Sequence, residues 1–130
     1  MIRSSDVTQG RFGWRVALAA TLRLVISLLF IPAILAKLRH PAEWAHLFTT
    51  WGYPGWGAVA ISVVEIVALV ALWIPAMAMP AIATLMVTLS GATGTWLIHG
   101  PRSTAAYPGT ILVLVVSLWR MQASIKPTSR

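Results

Sequence analysis

Cysteine is absent from this 130-residue chain. That removes thiol–disulfide exchange, iron–sulfur ligation and cysteine-rich zinc sites from consideration, and leaves the compartment open. Charge is scarce: 10% of residues are charged and only three are acidic, where a soluble domain carries about 25% charged residues. Histidine occurs three times, never in the middle of an apolar stretch, so a bis-histidine haem held between helices is not expected. His40 and His46 are six residues apart and share no helix face, which argues against a metal site. No repeat or low-complexity tract is evident. The N-terminal MIRSSDVTQGRFGWR lacks an early apolar core and a small-residue cleavage site, and is expected to be a retained cytoplasmic tail. No nucleophile–base pair stands out, so catalysis by this chain on its own is not expected.

What the chain has is apolar surface. It is 58% hydrophobic with a mean hydropathy of +0.78. This composition predicts an all-α integral membrane protein, a four-helix bundle forming one domain over residues 1–130, surrounded by membrane lipids. The net charge of +7 does not mark a nucleic-acid binder, because the basic residues gather at the ends with no aromatic platform between them. Four crossings are predicted, at about 14–38, 56–74, 78–98 and 105–121, each near the 17–25 residues a bilayer requires. Prolines punctuate them. His40-Pro41 stops the first, Pro75 and Pro80 bracket a tight turn, Pro101 follows the third, and Pro108 suits the first turn of the fourth. Residues 41–54, PAEWAHLFTTWGYP, are too polar to cross and predict an interfacial segment, with a short helix ending at Gly52.

Arg3, Arg11, Arg15, Arg120, Lys126 and Arg130 collect on one side and Lys37, Arg39 and Arg102 on the other. Six against three places both termini in the cytoplasm. Trp14, Trp73 and Trp119 then form one aromatic belt, and Trp44, Trp51, Trp56 and Trp96 the other.

Glu65 lies inside the apolar stretch from Ala58 to Trp73. A carboxylate at that depth costs a few kcal/mol and takes an interior partner. Counting about 1.5 Å per residue from opposite faces puts Arg23 roughly 13 Å and Glu65 roughly 15 Å deep, which predicts a buried Arg23–Glu65 ion pair. Arg23, Phe30 and Lys37 recur every seven residues on one helix face. Pro32 between them leaves the Leu28 carbonyl without its donor and predicts a kink. His99 ends the third helix on the same side as Lys37. Arg23, Lys37, Glu65 and His99 are therefore candidates to line a pocket for a quinone or lipid headgroup. The plainer reading makes the pair a device for helix register and makes Lys37 and His99 interfacial. In the third helix Thr84, Thr88, Gly91 and Thr95 share a face, and Ser90 with Gly94 forms a small-xxx-small pair, which predicts close helix packing.

The order Arg23, Lys37-Leu38, Gly52-Tyr53-Pro54, Glu65, His99 resembles the DoxX-like family, over roughly residues 21–99. Ser27 and Ile34 stand where such proteins often have glycine. The resemblance implies a small four-helix protein of a bacterial or archaeal inner membrane. Some relatives are membrane subunits of a thiosulfate:quinone oxidoreductase. It also implies that Arg23, Lys37, Glu65 and His99 match the family's polar positions. Three functions compete. One is an accessory or quinone-proximal subunit of an electron-transfer complex, whose redox centres reside in partner subunits and which holds no covalent cofactor. The others are a purely structural edge subunit and a small proton-coupled exporter. The first two expect the polar tails, MIRSSDVTQG and MQASIKPTSR, to dock on partner proteins.

Overall fold

The computed structural model describes the backbone of residues 4–125 and the side chains of residues 13–123. The chain is helical with no strand among these residues. Its elements are α1 (Ser4–Arg39), α2 (Pro41–Thr50), α3 (Gly57–Leu72), α4 (Ala78–His99) and α5 (Arg102–Ile125), with one 3-10 turn at Pro75–Met77 before α4. Three segments are long and apolar enough to cross a membrane: Gly13–Arg39, Pro75–His99 and Arg102–Ala123. α3 is as apolar but has 16 residues, about 24 Å of helix. Between 22% and 28% of each long span is buried within the protein. The remaining surface, rich in exposed Leu, Ile and Val, suits contact with hydrocarbon.

The helices form a ring. α1 packs on α3 and α5, and α4 packs on the same two. Each contributes one stripe to a shared core: Ala19, Ile26, Phe30 and Ile34 from α1, Ala68 and Leu72 from α3, Ala81, Ile82, Leu85 and Leu89 from α4, and Ile111, Val115 and Leu118 from α5. These recur at spacings of three, four and seven, as one face of a helix requires. Ile34 is 5% exposed and fills the core, so the absence of glycine there adds side-chain packing.

Several boundaries differ from the expected ones. α1 extends ten residues before position 14, while its apolar span, Gly13–Arg39, starts where the crossing was expected. α5 begins at Arg102 and not at 105, so Pro108 lies inside it and not in its first turn. The segment expected at the interface contains the helix α2, started by Pro41 and closed just before Gly52. Gly52 has φ 89°, and two hydrogen bonds close the end: Gly52 N–H to the Thr49 carbonyl at 3.1 Å and Tyr53 N–H to the Phe48 carbonyl at 2.9 Å. That is the glycine-dependent helix stop in which two orphan carbonyls are satisfied. The close packing expected of Ser90, Gly91 and Gly94 is not found. A Cβ at Gly91 or Gly94 would meet nothing within 4 Å, and Ser90 is exposed. Part of the expected tail docking concerns residues 1–3 and 126–130, which lie outside the described residues.

Candidate functional site

Lys37 is the third residue from the end of α1, and its side chain runs back along the bundle to α3. Its Nζ lies 3.1 Å from Glu65 Oε1 and 3.0 Å from Oε2. Both side chains are nearly out of solvent, at 13% and 7% exposure. Glu65 sits on the buried face of α3 with Ala58, Ser62, Ala68 and Leu72. Ser62, one turn away, donates to its own helix at the Ala58 carbonyl and leaves the carboxylate to Lys37. An ammonium with both oxygens of one carboxylate is a strong, charge-assisted contact.

The expected Arg23–Glu65 pair is therefore corrected to Lys37–Glu65. The depth count failed because it treated the two spans as equally long, whereas α1 runs well past the level at which α3 ends. The Trp73 indole N–H donates to Ser27 Oγ at 3.2 Å, so α3 ends level with Ser27. Arg23 is one turn beyond that end, while Glu65 is eight residues, about 12 Å, back from Trp73. Among the described residues no carboxylate lies within 4 Å of Arg23, and its buried Nε has no hydrogen-bond partner.

Lys37 and Glu65 both border a cavity of about 730 Å³. Phe30, Pro32, Ala33 and Ala36 form its α1 wall. Gly57, Ala60 and Ile61 line it from α3, Thr88, Gly91, Ala92, Thr95 and Trp96 from α4, and Thr104, Tyr107, Pro108 and Ile111 from α5. Trp44 and Phe48 from α2 and Trp51, Tyr53 and Trp56 from the loop complete it. Neither Arg23 nor His99 is among the lining residues. His99 is exposed and stacks on Trp51, with ring centroids 6.1 Å apart and planes at 23°. The space at Gly91, where packing was expected, belongs to this cavity.

Sequence logic explains why a void persists here. Pro32 and Pro108 lie in facing helices and both line the cavity. Each deprives a carbonyl one turn earlier, Leu28 and Thr104, of its helical donor. Tyr107 donates its hydroxyl to the Leu29 carbonyl, close to Pro32, tying the two proline-bearing helices together. Across the top, Trp44 and Trp51 meet Trp96 edge-on at centroid distances of 6.5 and 5.0 Å, and the Tyr53 and Thr95 hydroxyls are 3.1 Å apart. These contacts seat α2 and its loop on α4. Gly57 permits the seat, because a Cβ there would come within 3.0 Å of the Phe48 ring.

The sequence reading missed this aromatic wall. Trp44, Trp51 and Trp96 were expected as belt residues facing lipid, and only the return of α2 over α3 brings them together. The site combines apolar and aromatic walls, scattered hydroxyls and one ion pair of no net charge. Ligand pockets have this character, and their volumes run about 300–1,000 Å³.

Neither a curated protein nor a solved structure matches the chain. A family model does, that of the DoxX-like family, over residues 18–118. The match takes in Lys37, Glu65 and every helix that lines the cavity, and this small multi-pass membrane protein belongs to the DoxX-like family.

Proposed function

We propose that this protein crosses the cytoplasmic membrane of a bacterium or archaeon four times, with both termini inside. It holds a neutral, ring-bearing amphipathic molecule of the quinone class beside Lys37 and Glu65. In this reading it serves an electron-transfer complex as an accessory, quinone-proximal subunit, with the electrons supplied by partner subunits. The observation that carries the reading is the 730 Å³ cavity, whose charged lining groups among the described residues are an ion pair.

The chemistry favours a neutral ligand. An ammonium and a carboxylate in mutual contact cancel, so an ionic ligand entering these apolar walls would find no opposite charge left for it. Lys37 carries three N–H donors, and the two Glu65 oxygens accept from its Nζ at 3.0–3.1 Å, which leaves donor capacity for a carbonyl oxygen. The Tyr53, Thr95 and Tyr107 hydroxyls border the same space, and a flat ring finds Trp44, Trp51 and Trp96 to pack against at edge or face. A short α3 still fits a crossing, because a span shorter than the hydrocarbon thickness is accommodated by local thinning of the bilayer and by flanking residues that reach the interface.

The test uses the cavity's own tryptophans. A short-chain quinone added to the purified protein in mild detergent should quench tryptophan fluorescence saturably. Lys37→Met should weaken that binding about tenfold, the equivalent of about 1.4 kcal/mol. Ala92→Phe, which fills the cavity, should abolish saturation. Non-saturable quenching equal in all three proteins would refute the proposal.

A further inference from the structure

Arg23 has no counter-charge among the described residues. It falls on the α1 face marked by Ala19, Ile26, Phe30 and Ile34, the face buried in the core, and its Nε is buried without a hydrogen-bond partner. Glu65, the one acid within the apolar spans, is occupied by Lys37. Buried groups left unsatisfied are rare in native proteins and point to a missing partner. A charge at membrane depth pairs or reaches the interface.

Position decides which partner fits. Arg23 lies one turn past the level at which α3 ends, since Trp73, the residue closing α3, bonds Ser27. It is about 21 Å along α1 from Lys37 and so belongs to the opposite half of the molecule from the cavity. That half ends in further positive charge. Arg15 from α1 and Arg120 from α5 border one groove with Trp14, Leu18 and Met121. Among the described side chains this end carries no acid, since Glu43 and Glu65 lie in the other half. Next to Arg23, Leu24 is 51% exposed and Leu28 57% exposed, so the flank of the site is open to acyl chains.

We propose that Arg23 binds the phosphate of one anionic phospholipid in the leaflet at the Trp14 and Trp119 end. Arg15 and Arg120 attract that lipid class to the same end. A guanidinium reaching along an apolar helix face to the headgroup level places its fork on phosphate oxygens. The two outer arginines add a preference for net-negative headgroups over zwitterionic ones, since basic residues near an anionic surface each contribute to attraction. The site is separate from the cavity and stands or falls independently of it.

Native mass spectrometry of the full chain in mild detergent, titrated with phosphatidylglycerol, phosphatidylcholine or inorganic phosphate, tests this. Wild type should retain one phosphatidylglycerol about tenfold more tightly than phosphatidylcholine, and inorganic phosphate should not displace it. Arg23→Gln should lose that preference. Arg23→Lys, which keeps the charge and most of the fold's packing, should weaken retention only a few-fold. Arg15→Gln with Arg120→Gln should lower it without abolishing it. Equal retention by Arg23→Gln overturns the proposal. So does equal binding of both lipids, full displacement by inorganic phosphate, or a co-purifying protein whose acidic segment cross-links to Arg23 in place of lipid.

Discussion

Replacing one member of the Lys37–Glu65 pair strands the other where water hardly reaches it. With exposures of 13% and 7% and two contacts of 3.0–3.1 Å, the pair sits in the regime where removing one partner costs about 3–5 kcal/mol. Lys37→Met and Glu65→Leu should each fall in that range. The double variant replaces both charges by apolar groups of similar reach. It should cost much less than the sum, because no uncompensated charge remains and an apolar substitute for a buried pair is often close to neutral. With single losses of about 3–5 kcal/mol each and a double variant closer to neutral, the expected coupling is at least about 3 kcal/mol, at or above the upper end for residues in direct contact. Unfolding in mixed micelles, followed by far-UV circular dichroism, measures all four species under one condition. The cycle of Arg23→Leu with Glu65→Leu is the internal control. Those side chains are separated by the end of α3, so their effects should add within about 0.5 kcal/mol. Additive losses for Lys37 and Glu65, or a coupling for Arg23 and Glu65 as large as theirs, would refute the pairing and the axial placement on which the site rests.

Three further outcomes follow from the geometry. Gly52→Ala should destabilise the protein by about 1–2 kcal/mol, since φ 89° is a left-handed conformation that costs a side chain that much; chemical denaturation reads it. Tyr107→Phe removes the donor to the Leu29 carbonyl and should cost about 0.5–1.5 kcal/mol, with no change in insertion as judged by membrane fractionation. Reporter fusions after residue 100 and after residue 125 should fall on opposite sides of the membrane, and finding both on one side would exclude the four-crossing topology.

Composition and local chemistry carried the helical class, the membrane setting and several chain reversals. Low charge, long apolar runs, the prolines at 41, 75 and 80 and the glycine at 52 act within a few residues of themselves, so their consequences are visible in one dimension. The family was also legible, because Arg23, Lys37, Glu65 and the Gly52-Tyr53-Pro54 turn stand in a recognisable order. Which charges meet was not. Arg23 and Lys37 share a face of α1 at a spacing of fourteen residues, and both satisfy the rule that an acid in a span needs a base. The choice depends on where α3 ends along α1. That is set by Trp73 reaching Ser27 and by α2 lifting the start of α3, and both are contacts between segments distant in sequence. The cavity likewise required tertiary structure. Pro32 and Pro108 each mark a missing helical donor, but only the fold sets both against one void, over which α2 folds back with Trp44 and Trp51 against Trp96. Periodicity tells which side of a helix is apolar; it carries no information on the height at which two helices stop, and here that height decides the partner of Glu65 and keeps Arg23 away from it.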